Sequence, residues 1–200
     1  MLEREKLLRW IDESYSIAKS HGFHERGLSV EHMVMLIVGE IGEAVEADRK
    51  GKRANVGMYE KESVTSQPSD RVLEHKKFCF ESFVKDTVED ELADVAIRIF
   101  DTCGALRVVP RLEFRNLDFG AYMNNRSFCE SCFVLTHMLC HAEGVILSDD
   151  GTMENVPSVF GMSLCFLFAL CEKYGIDLER HIELKSWYNA NRPYKNGKRY

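Results

Sequence analysis

Two pairs of acidic residues stand within otherwise apolar helical patterns of this 200-residue chain. Glu40 and Glu43 are three residues apart, and so are Glu91 and Asp94. Residues three apart share one face of an α-helix, and the positions that flank the first pair on this face hold Met, Leu and Ala. An unpaired carboxylate is costly to bury, whereas Mg²⁺ and Mn²⁺ prefer carboxylate oxygens as ligands. The spacing therefore predicts that these four acids converge on one Mg²⁺ or Mn²⁺ site between two helices.

Two alternatives to this metal site can be weighed from the sequence. In the first, the acids line a solvated helix face and Asp94 pairs with Arg98, four residues further on. Asp86, Glu89 and Asp90 fit such a solvated face better than they fit a metal site. The second is a di-iron centre, which uses a Glu three residues before a His on two helices. None of the seven histidines has a Glu at that position, so an all-oxygen site is preferred.

A basic segment closes the sequence. From Arg180 to Tyr200 there are six Lys or Arg residues and one acid, a local net charge of +5 in a chain whose net charge is -6. Aromatic residues and asparagines interrupt the charges, which favours ordered packing over a purely solubilising tail. Lysine, arginine and asparagine are donors that a polyphosphate requires. The candidate substrate-binding residues are Lys185, Asn189, Arg192, Lys195 and Lys198.

Glu-x-x-Glu on one helix and Glu-x-x-Asp on another resemble the signature of the MazG-like, all-α nucleoside triphosphate pyrophosphatases. The C-terminal segment is similar to the Lys…Asn-x-x-Arg-Pro ending of that family, although Asn196 stands where the family often has His. The resemblance covers residues 25–50, 85–103 and 183–198. It implies Mg²⁺-dependent hydrolysis of an NTP or dNTP to the monophosphate and pyrophosphate. The implied roles are metal ligation by Glu40, Glu43, Glu91 and Asp94, general-base catalysis by Glu40 or Glu43, and phosphate binding by the C-terminal segment.

The same resemblance implies a homodimer or homotetramer. Two other functions stay open at this point. One is a phosphoribosyl-nucleotide pyrophosphohydrolase of the same superfamily, and the other is a non-catalytic module that binds nucleotide or metal. Four mutually repelling carboxylates argue against a site that has lost its activity.

Helical periodicity runs through most of the chain, and strand patterns are weak. We therefore expect a single all-α domain, a helical bundle of about five helices. The polar stretch 51–70 is expected to be a loop, and residues 51–80 and 107–126 to be insertions. The predicted helices span about 2–20, 30–49, 80–106, 127–143 and 157–174, followed by a short C-terminal helix and a tail.

Composition limits the classes of partner. Hydrophobic residues make up 45% of the chain and charged residues 29%, as in a globular protein. The negative net charge argues against a stable nucleic-acid complex. No apolar leader follows Met1, and no uncharged apolar stretch of about 18 residues is present. These features predict a cytoplasmic protein that does not enter a membrane.

The seven cysteines are expected to be reduced thiols. Cys129, Cys132 and Cys140, with His137 and His141 nearby, could indicate a zinc site. Helical spacing, however, aligns the three cysteines in one stripe with Phe and Thr, which favours packing in the core.

Overall fold

Helices form every regular element in the part of the chain that the structure describes. The structure is a computed structural model that describes residues 3–64, 69–146 and 155–194. The prediction of an all-α fold is confirmed. The described helices are α1 (Arg4–Ser20), α2 (Val30–Arg49), α3 (Val56–Ser63), α4 (Ser69–Phe83), α5 (Val88–Leu106), a 3-10 helix (Leu112–Asn116), α6 (Phe119–Met123), α7 (Phe128–Ile146), α8 (Val156–Lys173) and α9 (Leu178–Ala190).

Helix α5 lies at the centre of the bundle, where it packs against α1, α2, α8 and α9. Its apolar residues recur at intervals of three and four, and Leu92, Val95, Ile99 and Cys103 are completely buried. This stripe is the one that the periodicity predicts. Because α5 touches so many neighbours, the acids on its remaining face are held in place by packing on several sides.

Helix α2 is the main partner of α5 and carries the first acid pair. It begins where the sequence predicts, since the Ser29 side chain accepts a hydrogen bond from the His32 backbone N–H at 3.3 Å. Ile37, Ile41 and Ala44 are buried against the core. The chain leaves the helix through Gly51, which has a φ of +64°.

The expectation of a loop over 51–70 is wrong for most of the described part, because α3 and the start of α4 lie there. The Asn55 side chain caps α3 by accepting a hydrogen bond from the Met58 backbone N–H. The two helices pack with α9 around a second small core, in which the rings of Phe80 and Tyr188 stack 4.4 Å apart. The polar composition of this segment concealed two amphipathic helices.

The predicted helix over 80–106 is two helices. Helix α4 ends at Phe83 and α5 begins at Val88. Asp86 has a left-handed φ of +58°, and the Thr87 hydroxyl caps α5 by accepting from the Asp90 backbone N–H. The break matters because it directs the first turn of α5 toward α9.

The remaining segments follow the predicted bounds within a few residues. The irregular stretch 107–126 holds the 3-10 helix and α6. Helix α8 is long and apolar enough to cross a membrane by length and composition, and 56% of that stretch is buried inside the protein. That burial is the arrangement of a core helix.

The expected cysteine stripe on α7 is wrong in part. Cys132 is buried, but Cys129 and Cys140 are exposed, and Phe133 is 72% exposed. Only one of the three thiols faces the core. The reason is that α2 and α8 cover a narrower face of α7 than the one over which the three cysteines are spread.

Candidate metal and nucleotide site

Three of the four predicted acids meet where α2 faces α5. One carboxylate oxygen each from Glu40, Glu91 and Asp94 can be chosen so that all three lie within 4.8 Å of one another. Apolar packing between α2 and α5 brings the acids together, so the hydrophobic core determines the position of the site. Glu43 lines the same cavity one turn further along α2, and its side chain is exposed.

Glu40 is fixed by an ion pair that the sequence reasoning missed. Arg98 Nε donates to Glu40 Oε1 at 2.5 Å across the α2–α5 interface. The alternative in which Arg98 pairs with Asp94 along the same helix is therefore not what the structure contains. Burial, reinforced by the Asp94 charge, raises the pKa of Glu40 above its ordinary value, and Arg98 offsets only part of this shift.

Lys185 on α9 reaches the acids from the other side. Its Nζ lies 2.7 Å from Asp90 Oδ2 and 2.8 Å from Asp94 Oδ2. Burial alone would lower the pKa of Lys185, but the carboxylates of Asp94 and Asp90 outweigh it and raise the pKa above its usual range. Lys185 is thus a buried cation shared by two acids.

The sequence analysis placed Asp90 on a solvated helix face, and the structure shows that this expectation is wrong. It is 1% exposed, it accepts hydrogen bonds from Lys185 and from the Asp86 backbone N–H, and its Oδ1 has no partner among the described residues. Burial raises its pKa to about 6 even with Lys185 beside it. The break between α4 and α5 explains the error, because it directs the first turn of α5 toward the protein interior.

Of the acids in this cluster, Glu91 has the charge that nearby cations compensate least. Burial raises its pKa to about 8, with Lys185 opposing the shift. Among the described residues, four largely buried acids (Glu40, Asp90, Glu91, Asp94) face the buried Lys185 and the partly buried Arg98, whose side chain is 27% exposed. The carboxyl groups outnumber the cations by two, and the raised pKa of Glu91 shows that the cluster resists full ionisation. A divalent cation between the carboxylates would favour the ionised state. The donor set, all carboxylate oxygen, is the one that Mg²⁺ or Mn²⁺ prefers.

A cavity of about 760 Å³ opens beside the acids, and α9 with the residues just after it supplies its polar wall. Lys185, Asn189 and Arg192 all line it. Asn189 Nδ2 lies 3.4 Å from Asp94 Oδ1. The Arg192 guanidinium lies over the Tyr188 ring, 5.6 Å from its centroid, and forms no ion pair with a described acid. The predicted residues Lys195 and Lys198 lie outside the described residues.

The cavity continues away from the acids between α1 and α5. This end has a mainly apolar lining and one carboxylate, that of Asp101. Sequence reasoning missed Asp101, although its spacing was a usable signal: it lies seven residues after Asp94 and ten after Glu91, on the same helix face. The apolar lining residues are Ile17, Ala18, Phe23, Leu28, Met33, Leu36 and Ile97.

Comparison of the chain with protein-family models, with curated proteins and with solved structures gives no match.

Proposed function

We propose that the protein is a Mg²⁺-dependent nucleoside triphosphate pyrophosphohydrolase of the MazG-like kind. One observation carries the proposal: a largely buried acidic cluster, in which carboxyl groups outnumber cations, shares a cavity with polyphosphate donors from α9 and from Arg192 just after it. A metal-binding group beside an anion-binding wall is the combination that cleavage of a phosphoric anhydride needs.

Glu40, Glu91 and Asp94 would hold the metal. Mg²⁺ bound there would neutralise charge on the phosphates and act as a Lewis acid. Arg98 holds the Glu40 carboxylate in position, and Lys185 does the same for Asp94. Because both cations are already hydrogen-bonded to these acids, and Lys185 is also buried, they fix the ligand geometry before a substrate arrives.

Glu43 is the best general base in this proposal. It lines the cavity beside the acidic cluster and makes no hydrogen bond with a described residue, whereas Glu40 is tied to Arg98. Its carboxylate would orient a water and take its proton as the water attacks the α-phosphorus. The bond between the α-phosphorus and its bridging oxygen then breaks, and pyrophosphate leaves.

Arg192 is the residue we assign to the β- and γ-phosphates. Its guanidinium has no acidic partner among the described residues, and stacking on Tyr188 holds it at the cavity wall. Asn189 adds a neutral donor. Lys185, in contrast, has its described hydrogen bonds directed at the acids, which makes it a positioning residue.

The test is hydrolysis of a panel of NTPs and dNTPs with Mg²⁺, with released pyrophosphate as the readout. We expect turnover that is lost on chelation and falls at least about 100-fold in Glu43→Gln and in Asp94→Asn. Absence of turnover with every nucleotide by the folded protein would refute the proposal. Tight nucleotide binding without turnover would identify a binding module, and turnover confined to a phosphoribosyl-nucleotide would identify the related pyrophosphohydrolase.

Matched controls separate chemistry from folding. Glu46→Gln makes the same substitution on α2 one turn away, where Glu46 pairs with Arg49 and Lys50 outside the cavity. Asp12→Asn does so for aspartate, on the exposed face of α1. Both variants should keep wild-type turnover.

We also propose that the protein is a cytoplasmic homodimer or homotetramer. Met35 on α2 and Phe133 on α7 are 63% and 72% exposed, and α2 and α7 are neighbours. Light scattering coupled to size-exclusion chromatography measures the mass directly, and a monomer at micromolar concentration would refute the proposed assembly.

A further inference from the structure

Asp101 is a half-buried carboxylate that the proposed chemistry does not use. It lies on α5 with a side chain 18% exposed, at the apolar end of the cavity. His24 Nε2 lies 2.7 Å from its Oδ1 and is its only partner within hydrogen-bond or ion-pair distance among the described residues. The second oxygen, Oδ2, therefore remains an acceptor at the cavity surface.

The surroundings make this acceptor selective. Most of the side chains around this end of the cavity are apolar, and the nearby Thr102 hydroxyl is engaged with the Arg98 carbonyl oxygen at 2.8 Å. An ionised carboxylate can only accept hydrogen bonds. A flat apolar ring that brings an N–H donor would satisfy both the lining and the carboxylate, whereas one that brings a carbonyl oxygen would be repelled.

The spacing along α5 places this acceptor at a useful distance from the metal site. Asp101 follows Asp94 by seven residues, which is about 10 Å along a helix axis. This length is comparable with the span of an extended nucleotide from its α-phosphorus to the hydrogen-bonding edge of its base. Arg98 lies between the two acids and is hydrogen-bonded to Glu40, so the described hydrogen-bond partner of Asp101 is His24 and not Arg98.

We propose that Asp101 selects nucleotides whose base carries an exocyclic amino group. The inference rests on the proposed function, because it takes the acidic cluster as the phosphate end of the site. Cytosine, adenine and guanine can donate an amino hydrogen to Asp101, and an Asp–cytosine contact of this kind is a known pairing in nucleic-acid recognition. Uracil and hypoxanthine carry an oxygen or a hydrogen where cytosine and guanine carry the amino group. His24 is a positioning residue, since it orients the carboxylate by holding Oδ1.

The test compares two substrate pairs that differ at the amino group: CTP with UTP, and GTP with ITP. We expect the wild-type protein to favour the amino-bearing member by about 10- to 100-fold in kcat/KM, because the other member cannot make the amino hydrogen bond to the carboxylate. In Asp101→Asn the side chain can donate as well as accept, so the ratio should fall to within about threefold of unity. Asp12→Asn is the control and should keep the wild-type ratio.

A second variant and a binding measurement guard against misfolding and against failure of the chemistry. His24→Gln retains a donor for Asp101 and should keep the direction of the preference. Calorimetry with CMP and UMP requires no turnover and should show tighter binding of CMP that disappears in Asp101→Asn. No turnover of any nucleotide would overturn the proposed function alone. Equal CMP and UMP binding, or an unchanged ratio in folded Asp101→Asn, would overturn the assignment of Asp101.

Discussion

Replacing Glu91 with glutamine should stabilise the metal-free protein at neutral pH and remove its response to Mg²⁺. Glu91 is 5% exposed, and Lys185, the cation that opposes its pKa shift, is already shared by Asp90 and Asp94. Burial raises the pKa of Glu91 from 4.5 to about 8. Glutamine fills nearly the same volume without the charge, so the substitution removes the electrostatic penalty and preserves the packing.

The magnitude follows from the difference between the pKa of Glu91 in the folded and unfolded states. The folded state holds the proton more tightly than the unfolded state, so the free energy of unfolding decreases as the pH rises between 4.5 and 8. Each pH unit in this interval lowers that free energy by about 1.4 kcal/mol, which gives roughly 3 kcal/mol at pH 7 and at most about 5 kcal/mol above pH 8. Below pH 4.5 the carboxyl is protonated in both states, and the variant and the wild type should be equally stable.

Urea unfolding in the presence of a chelator at pH 5, 7 and 8 measures this difference. The wild type should lose stability across the range, and Glu91→Gln should lose less, so that the gap widens with pH. Adding Mg²⁺ at pH 8 should raise the wild-type midpoint and leave that of Glu91→Gln unchanged. Parallel pH profiles for the two proteins would refute the reasoning, and Glu46→Gln is the control outside the cavity, expected within about 0.5 kcal/mol of the wild type.

The remaining predictions concern the rest of the cluster and the packing around it. Lys185→Met should cost about 3–5 kcal/mol of unfolding free energy at pH 8, because it leaves the buried Asp90 without a cationic partner. The loss should be smaller at pH 5, where that carboxyl is protonated. Urea titrations at both pH values measure the difference. Gly161→Ala should destabilise by more than about 2 kcal/mol, because its Cβ would lie 2.0 Å from the Arg111 carbonyl oxygen. At Gly39 an added Cβ would meet nothing within 4 Å beyond its own stretch of helix, so Gly39→Ala should instead stabilise by about 0.5–1 kcal/mol. Thermal melts of both variants measure the two effects, and equal shifts would contradict the argument.

The parts of the site that were predictable are those in which a local pattern determines the geometry. Glu40, Glu91 and Asp94 stand at helical spacing inside apolar stripes, and two such helices in a small bundle have few ways to pack. The convergence of these acids therefore followed from sequence spacing and the cost of burying a charge. The same logic failed for Asp90, because its burial depends on the turn at Asp86 and on a lysine 95 residues away.

The missed helices have a related explanation. Residues 51–64 read as polar because only a few of them, Val56 and Tyr59 in α3, face the small second core that α4 and α9 complete. Periodicity becomes visible only over more apolar positions than one short helix offers. The capping residues Asn55 and Thr87 were the available signals, since each precedes a helix start by one position.

The division of the charged cluster between early and late helices has a consequence for synthesis. Asp90 leaves the ribosome 95 residues before Lys185, an interval of roughly 5–20 s at typical elongation rates. During that interval the nascent α2–α5 pair carries its carboxylates against Arg98 alone. The arrival of α9 and the residues just after it then supplies the second cation, the arginine that we assign to the phosphates and the last wall of the cavity together. The candidate site is therefore assembled only after α9 and Arg192 have been synthesised.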